Sequence, residues 1–428
     1  MEVTCKSYHL LGEKVFSTTM DNGLHCIFLP KEGFKRKFAV LAVPCGSVHR
    51  KAIVDGREVS FPGGVAHFLE HKLFEDPAAN VENRFARLGA GVNAFTNHTM
   101  TAYMFSTADN FSHCLDLLLE FVQQPAFSEQ GVVDERNVIA QEIKMYTDQP
   151  YWAAYLGTLK KLYGSHPIAE DIAGKLEDLQ RIDYQVLREC HRLFYHPSNM
   201  VLVVAGDMES SELFQHVAES QQSRAADQPP AVTQRIDQAG KQPIAVDEKR
   251  EMEVARPLFN LGFRDAIPAD WKEAVHKETV AGLLLEMMSG KNGDFYNRLY
   301  DQGLIDHSFA LDYTTSPWYS HLIFGGESDR PDDVAEEIIA ELTRWRKAGW
   351  DSSRVEQNRN KLIGHFVMEL NSLETTVMAC AADWLQGCDY FNRFEILQNA
   401  ETKDLQKLLQ ALSLQQPCLY VVRPASGK

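Results

Sequence analysis

Pro62-Gly63-Gly64-Val65-Ala66-His67-Phe68-Leu69-Glu70-His71 is the stretch whose reading decides this chain. On a helix, residues four apart lie one above the other, so His67 and His71 can address one ion. Glu70 borders the same face. A carboxylate there can take a proton from a metal-bound water without occupying a ligand position. The same spacing also suits an exposed amphipathic helix with two solvated histidines. The neighbours Val65, Ala66, Phe68, Leu69, Leu73 and Phe74 argue for a packed helix instead, in which buried His and Glu need partners. Phe61-Pro62-Gly63-Gly64 supplies the loop that leads into it.

A two-histidine zinc site needs a third protein ligand, usually a carboxylate, and leaves a fourth position for water. The best candidates lie in Val133-Asp134-Glu135-Arg136-Asn137-Val138-Ile139-Ala140-Gln141-Glu142-Ile143, where Val132, Val133, Val138, Ile139 and Ile143 recur with roughly helical spacing. Glu135 and Glu142 stand about two turns apart and face the same way. One can ligate while the other supports it. By themselves, paired glutamates on a helix describe a solvated face; the His-x-x-Glu-His gives them weight.

The chain resembles the insulinase/pitrilysin metallopeptidases (inverzincins), in particular their short-chain bacterial processing-peptidase branch. The resemblance rests on His67-Phe-Leu-Glu70-His71 and on Glu135-Arg-Asn-Val-Ile-Ala-Gln-Glu142. It is supported by Gly91-Val-Asn93-Ala94-Phe-Thr96 and by Phe194-Tyr-His-Pro-Ser-Asn-Met-Val-Leu-Val-Val-Ala-Gly206-Asp207. It implies one Zn2+ per chain held by His67, His71 and Glu142, with Glu70 as general base and Glu135 as the supporting carboxylate. It also implies that Asn93 and Ala94 bind an extended peptide added to the edge of a hairpin strand. Ligation by His and carboxylate leaves cobalt and manganese open as well.

The 428 residues exceed one typical domain, and an apolar content of 44% is ample for folded cores. The 43 basic and 59 acidic residues give a formal net charge of −16, against nucleic acid or an anionic membrane as main partner. Eight scattered cysteines without a Cys-x-x-Cys pair fit a reducing compartment. Neither a signal-peptide pattern nor an apolar run of spanning length is read, so the expectation is a cytoplasmic, soluble protein.

Strand-like runs at 23–30 and 38–45 precede the motif, and a hairpin at 89–98 and 101–106 follows it. Helical patterns lie near 109–123, 128–146, 153–162 and 183–194, before a strand at 199–205. Polar, proline-bearing residues from 221 mark a linker. The second half repeats the order: strand-like 251–264, helices near 270–289 and 293–302, strands near 307–313 and 319–325. Helices at 331–348, 352–370 and 374–387, two shorter ones and a strand at 418–422 close it. The expected fold class is α+β, with antiparallel-rich sheets packed with helices. An N-terminal zinc-peptidase domain (1–220), a linker (221–246) and a homologous domain without metal (247–428) form half of a clamshell dimer, as the resemblance implies.

One departure from the family stands out. Its second domain carries an Arg and, about two helical turns on, a Tyr that hold the substrate and polarise its carbonyl. Here Arg298 and Tyr300 are two apart and diverge on a helix, and alignment puts Tyr300 and Asp306 at the two positions. The expectation is a zinc-dependent endopeptidase for unfolded peptides, the metal-bearing subunit of a heterodimer whose metal-less partner supplies the Arg/Tyr pair. A homodimer is the other arrangement. The alternative function is a non-catalytic assembly subunit or peptide-binding chaperone. His25, His98, His113, His166, His191 and His196 form no second ligand-spaced cluster and read as surface or satisfied core residues.

Overall fold

A computed structural model describes residues 2–75, 80–222, 232–240, 250–291 and 293–425. Much of the expected linker, 223–231 and 241–246, lies outside the described residues, as do the next three residues, 247–249. The chain opens with strands β1 (Thr4–Tyr8), β2 (Glu13–Thr19), β3 (His25–Pro30), β4 (Lys37–Val43), β5 (Lys51–Val54) and β6 (Arg57–Ser60). Helices α1 (Val65–Leu73) and α2 (Val81–Arg87) and the hairpin β7 (Gly91–Thr96) and β8 (Thr101–Thr107) follow. Next come α3 (Phe111–Gln123), α4 (Glu129–Thr147), α5 (Pro150–Tyr163), α6 (Leu176–Leu179) and α7 (Tyr184–Phe194). Strand β9 (Val201–Gly206), α8 (Ser210–Gln222) and β10 (Val232–Gln234) end the first half. The second half runs β11 (Arg250–Met252), β12 (Leu258–Arg264), α9 (Trp271–Ser289), α10 (Asp294–Asp301), β13 (Ala310–Thr315) and β14 (Ser320–Glu327). It closes with α11 (Pro331–Ala348), α12 (Ser352–Glu369), α13 (Leu373–Leu385), α14 (Asn392–Asn399), α15 (Thr402–Ala411) and β15 (Cys418–Pro424).

Contacts group the chain into two compact units that do not follow chain order. Unit 1 comprises residues 1–143, 171–236 and 367–390; unit 2 comprises 144–170, 237–366 and 391–428. Each is α+β.

In unit 1 a seven-stranded sheet runs β1-β2-β3-β9-β4-β8-β7, antiparallel except for the β3–β9 pair. A smaller sheet runs β10-β5-β6. Strand β4 shows why the large sheet is covered on both faces. Ala39, Leu41 and Val43 enter the main core with Phe68 and Leu69 of α1 and Leu115 and Leu118 of α3. The alternate residues Phe38, Val40 and Ala42 point to the other face and are equally buried, because α13 packs there against β4 and β9. Strand β7 is an edge of this sheet.

Unit 2 uses the same device. Its five strands run β11-β15-β12-β14-β13. Phe259, Leu261 and Phe263 of β12 face a core built with α9, α11 and α15. On the other face, Leu258 meets Ala154 of α5 and Tyr420 of β15. Each sheet is thus backed by a helix from the other half of the chain.

Among the strands missing from the sequence reading, β1 and β10 show why. Thr4 to Ser7 of β1 are exposed, so no alternation marks that strand. β10 is three residues long inside a polar stretch.

Candidate metal centre

Helix α1 begins at a glycine for a geometric reason. Gly64 is its N-cap with φ +83°, and a Cβ there would lie 2.2 Å from the carbonyl oxygen of Ala173. From this tight start Val65, Ala66, Phe68, Leu69 and Leu73 turn into the core. His67, Glu70 and His71 remain half-buried on the opposite side. Helix α4 buries Val132, Ile139 and Ile143, which aims Glu135 and Glu142 at α1.

His67 Nε2 lies 3.6 Å from one oxygen of Glu142, and His71 Nε2 lies 3.6 Å from the other. These are too long for hydrogen bonds. They match instead two ligands on one ion, since donors about 2.0–2.1 Å from a tetrahedral zinc are separated by roughly 3.3 Å. One ligand atom from each of the three residues fits within a 4.8 Å span, and among the described residues they are the single group able to hold a metal. On the far side of its ring, His71 Nδ1 meets Glu135 Oε1 at 3.0 Å. Donating that N–H to Glu135 leaves the Nε2 lone pair turned towards Glu142. The donor set and its spacing therefore fit zinc.

The carboxylates are tuned differently. A hydrogen bond from His71 holds Glu135 below the usual range against the effect of burial, helped by Lys72. Glu142 is also lowered, first by its interaction with His67, with burial opposing. Glu70 is raised, because burial outweighs the hydrogen bond from Thr96 and the nearby imidazoles. His71 is raised as well: burial opposes its charged form, but Glu135, Glu142 and Glu70 prevail. The surroundings therefore push Glu70 in one direction and Glu135 and Glu142 in the other.

All five residues expected from α1 and α4 come together here. Glu135 and Glu142, which spacing leaves equivalent, are separated by distance: only Glu142 reaches both Nε2 atoms. Asn93 and Ala94 lie on the edge strand β7, where Asn93 Oδ1 accepts the N–H of Ala94 at 2.9 Å. Thr96, at the end of that strand, donates to Glu70 Oε2 at 2.6 Å. No role is read for Thr96, Lys72 or Glu75 in the sequence. A lysine in the apolar run after His71 is the signal that was available, since buried lysines are almost always paired.

Comparison with known proteins agrees. A family model described as Insulinase (Peptidase family M16) matches residues 53–173, and one described as Peptidase M16 inactive domain matches 181–362. YmfH of Bacillus subtilis (strain 168), an uncharacterized zinc protease by name, is 34% identical over 94% of this chain and 95% of its own.

The chain belongs to the M16 peptidase family.

YmxG of the same organism, also named an uncharacterized zinc protease, is 26% identical over 72% of this chain and 75% of its own. Among solved structures, a putative M16-like peptidase from Alicyclobacillus acidocaldarius superposes with a TM-score of 0.91 at 30% identity, covering 99% of each chain. Pitrilysin shares the fold, with a TM-score of 0.74 at 17% identity over 96% of this chain and 45% of its own. In unit 2 of this M16 chain, Tyr300 and Asp306, the two positions at which the sequence reading expects an Arg/Tyr pair, have partners of their own. Asp306 pairs with Arg256 at 2.8 Å, and Tyr300 stacks on Tyr296. Arg298 reaches Glu337 and Glu341. Among the described residues, no helix is long and apolar enough to cross a membrane.

Proposed function

We propose that this M16 chain is a zinc-dependent endopeptidase for unfolded peptides, acting in a dimeric chamber as the metal-bearing subunit of a heterodimer. The observation that carries the reading is the convergence of His67 Nε2, His71 Nε2 and the two Glu142 oxygens, with Glu70 beside them on α1. His67, His71 and Glu142 would hold the ion, and Glu135 would orient His71. When bound, zinc supplies Lewis acidity towards a carbonyl and lowers the pKa of water.

The chain's own residues do the rest. Glu70 accepts the proton of the attacking water and returns it to the leaving amine. The free edge of β7 binds extended peptide through backbone hydrogen bonds, which gives affinity with little sequence dependence. Asn93 and Ala94 lie on that edge. Thr96 of the same strand is bonded to Glu70, so a peptide added to β7 runs past the base.

The heterodimer is favoured by unit 2. Asp306 stands where a tyrosine is expected and is neutralised by Arg256, and Arg298 is engaged by Glu341. A related chain without metal would supply the missing pair.

The test is zinc content with hydrolysis of a quenched peptide, for wild type and Glu70→Gln, alone and with a candidate metal-less M16 chain. The expected result is one zinc per chain in both proteins, Glu70-dependent cleavage, and a rate that rises on adding the partner. Full activity of the chain alone rejects the heterodimer, and an active Glu70→Gln rejects the base. Zinc binding without cleavage in any combination favours a non-catalytic, peptide-binding subunit, for which the displaced Arg/Tyr pair already speaks.

A further inference from the structure

A second polar cluster joins α1 to α4, and its centre is a lysine. Lys72 is only 2% exposed. A buried ammonium needs a compensating charge. It donates to Glu75 Oε2, and Glu135 Oε2 lies 3.6 Å away. Glu75 Oε1 in turn accepts two bonds from Ser128, from the backbone N–H at 3.1 Å and the hydroxyl at 2.9 Å. Ser128 immediately precedes α4, and its own oxygen accepts the N–H of Gly131 at 3.0 Å, as an N-cap does. The Glu75 carboxylate lies directly on Gly131. A Cβ there would collide with the Glu75 carboxylate, so a larger residue at 131 would push Glu75 off its present bonds to Lys72 and Ser128.

The contacts form a ring. It runs from Lys72 through Glu75 and Ser128 into α4, along α4 to Glu135, and back to α1 at His71. A helix fastened at its first turn and again at Glu135 cannot slide or rotate on its neighbour. One residue of rotation, about 100°, would turn the face that Glu135 and Glu142 share away from the two histidines.

We propose that Lys72, Glu75 and Gly131 form a clasp that sets the register of α4 on α1 and so fixes where Glu142 meets the two histidines. The inference rests on reading His67, His71 and Glu142 as metal ligands. Lys72 and Glu75 are positioning residues: they act through α4 and Glu135.

The test measures zinc affinity by chelator competition, and the visible spectrum of the cobalt-loaded protein, with no reference to turnover. Gly131→Ala and Glu75→Gln are expected to bind zinc about ten- to a hundredfold more weakly than wild type and to shift the cobalt bands. Ser128→Thr, which keeps the hydroxyl, is expected to match wild type. Alanine is the better helix former by about 1 kcal/mol, so if the close contact of Gly131 with Glu75 is of no consequence, Gly131→Ala shows equal or better stability and unchanged affinity. Phe214→Leu, in the buried core of unit 1 on α8, is the stability control; it should lower the melting temperature and leave zinc affinity alone. Wild-type affinity and spectrum in both Gly131→Ala and Glu75→Gln overturn the clasp. So does a loss of affinity in Phe214→Leu equal to theirs. Glu142→Ala separates the two levels: if it binds zinc as wild type does, the ligand assignment itself fails and the clasp with it.

Discussion

Thr96 Oγ1 donates a 2.6 Å hydrogen bond to Glu70 Oε2, tying the edge strand β7 to the helix that carries this proposed base. One carboxylate oxygen is thereby held, and the other is left for water. Thr96→Val keeps the shape and removes the donor. Hydrogen bonds to charged groups contribute about 1.5–3 kcal/mol, so kcat should fall roughly ten- to a hundredfold. Thr96→Ser should stay near wild type, with KM little changed in either. Steady-state kinetics on a quenched peptide decides it; a pure KM effect would assign Thr96 to peptide binding.

Glu135 and Glu142 share a helix face but should not share a phenotype. Glu142 approaches both Nε2 atoms, whereas of the two histidines Glu135 meets only His71, at its far nitrogen. Glu142→Ala should abolish stoichiometric zinc binding. Glu135→Gln keeps an oxygen for the His71 N–H and should weaken zinc about ten- to a hundredfold. Equilibrium dialysis against graded chelator ranks the two; equal losses would place both in the ligand set.

How far the sequence reached follows from the range of each contact. His67, Glu70 and His71 were legible because helix geometry alone fixes neighbours three and four apart. The α+β order was legible in the long strands β3, β4, β8 and β9, whose apolar runs are uninterrupted. Thr96 was not, because its bond to Glu70 joins residues 26 positions apart and no periodicity announces it. The exchange of α5 and α13 between units was hidden for a related reason. An apolar stripe says that a helix is buried, and is silent about which sheet buries it.

Two buried histidines should make the stability of unit 1 sensitive to acid. Burial lowers His49 and His191 from 6.5 to about 4 each; the bond of His191 Nε2 to the Val122 carbonyl at 2.9 Å only partly opposes this. Both are neutral in the folded chain at pH 7, and neutral when unfolded above pH 6.5. As pH falls below 6.5 the unfolded state takes up protons that the folded state refuses, so stability declines until about pH 4 and is flat beyond. Each group contributes up to about 3 kcal/mol to that decline. Urea unfolding between pH 7 and 4 should show it. His191→Gln, which can still donate to Val122, should be shallower; an unchanged slope would assign the acid sensitivity elsewhere.

The last prediction concerns α13. Phe38, Val40 and Ala42 of β4, with Val201 and Val203 of β9, are all at most 3% exposed although they lie outside the core of the opposite face. What covers them is α13, which packs on β4 and β9 and buries Leu373, Val377 and Ala381. His25 of β3 adds a stacked contact with Trp384, ring centroids 4.7 Å apart. A fragment ending at residue 220 would bare this apolar face, and contiguous patches of that kind drive association. Expressed alone, residues 1–220 should aggregate or bind a hydrophobic dye strongly. Supplying 367–390, on a linker or as a separate peptide, should restore a cooperative melt. Val377→Ala in the full chain should destabilise unit 1 by about 1–3 kcal/mol, through lost burial and the cavity left behind. A fragment that folds and stays monomeric without α13 would show that the sheet does not need its second cover.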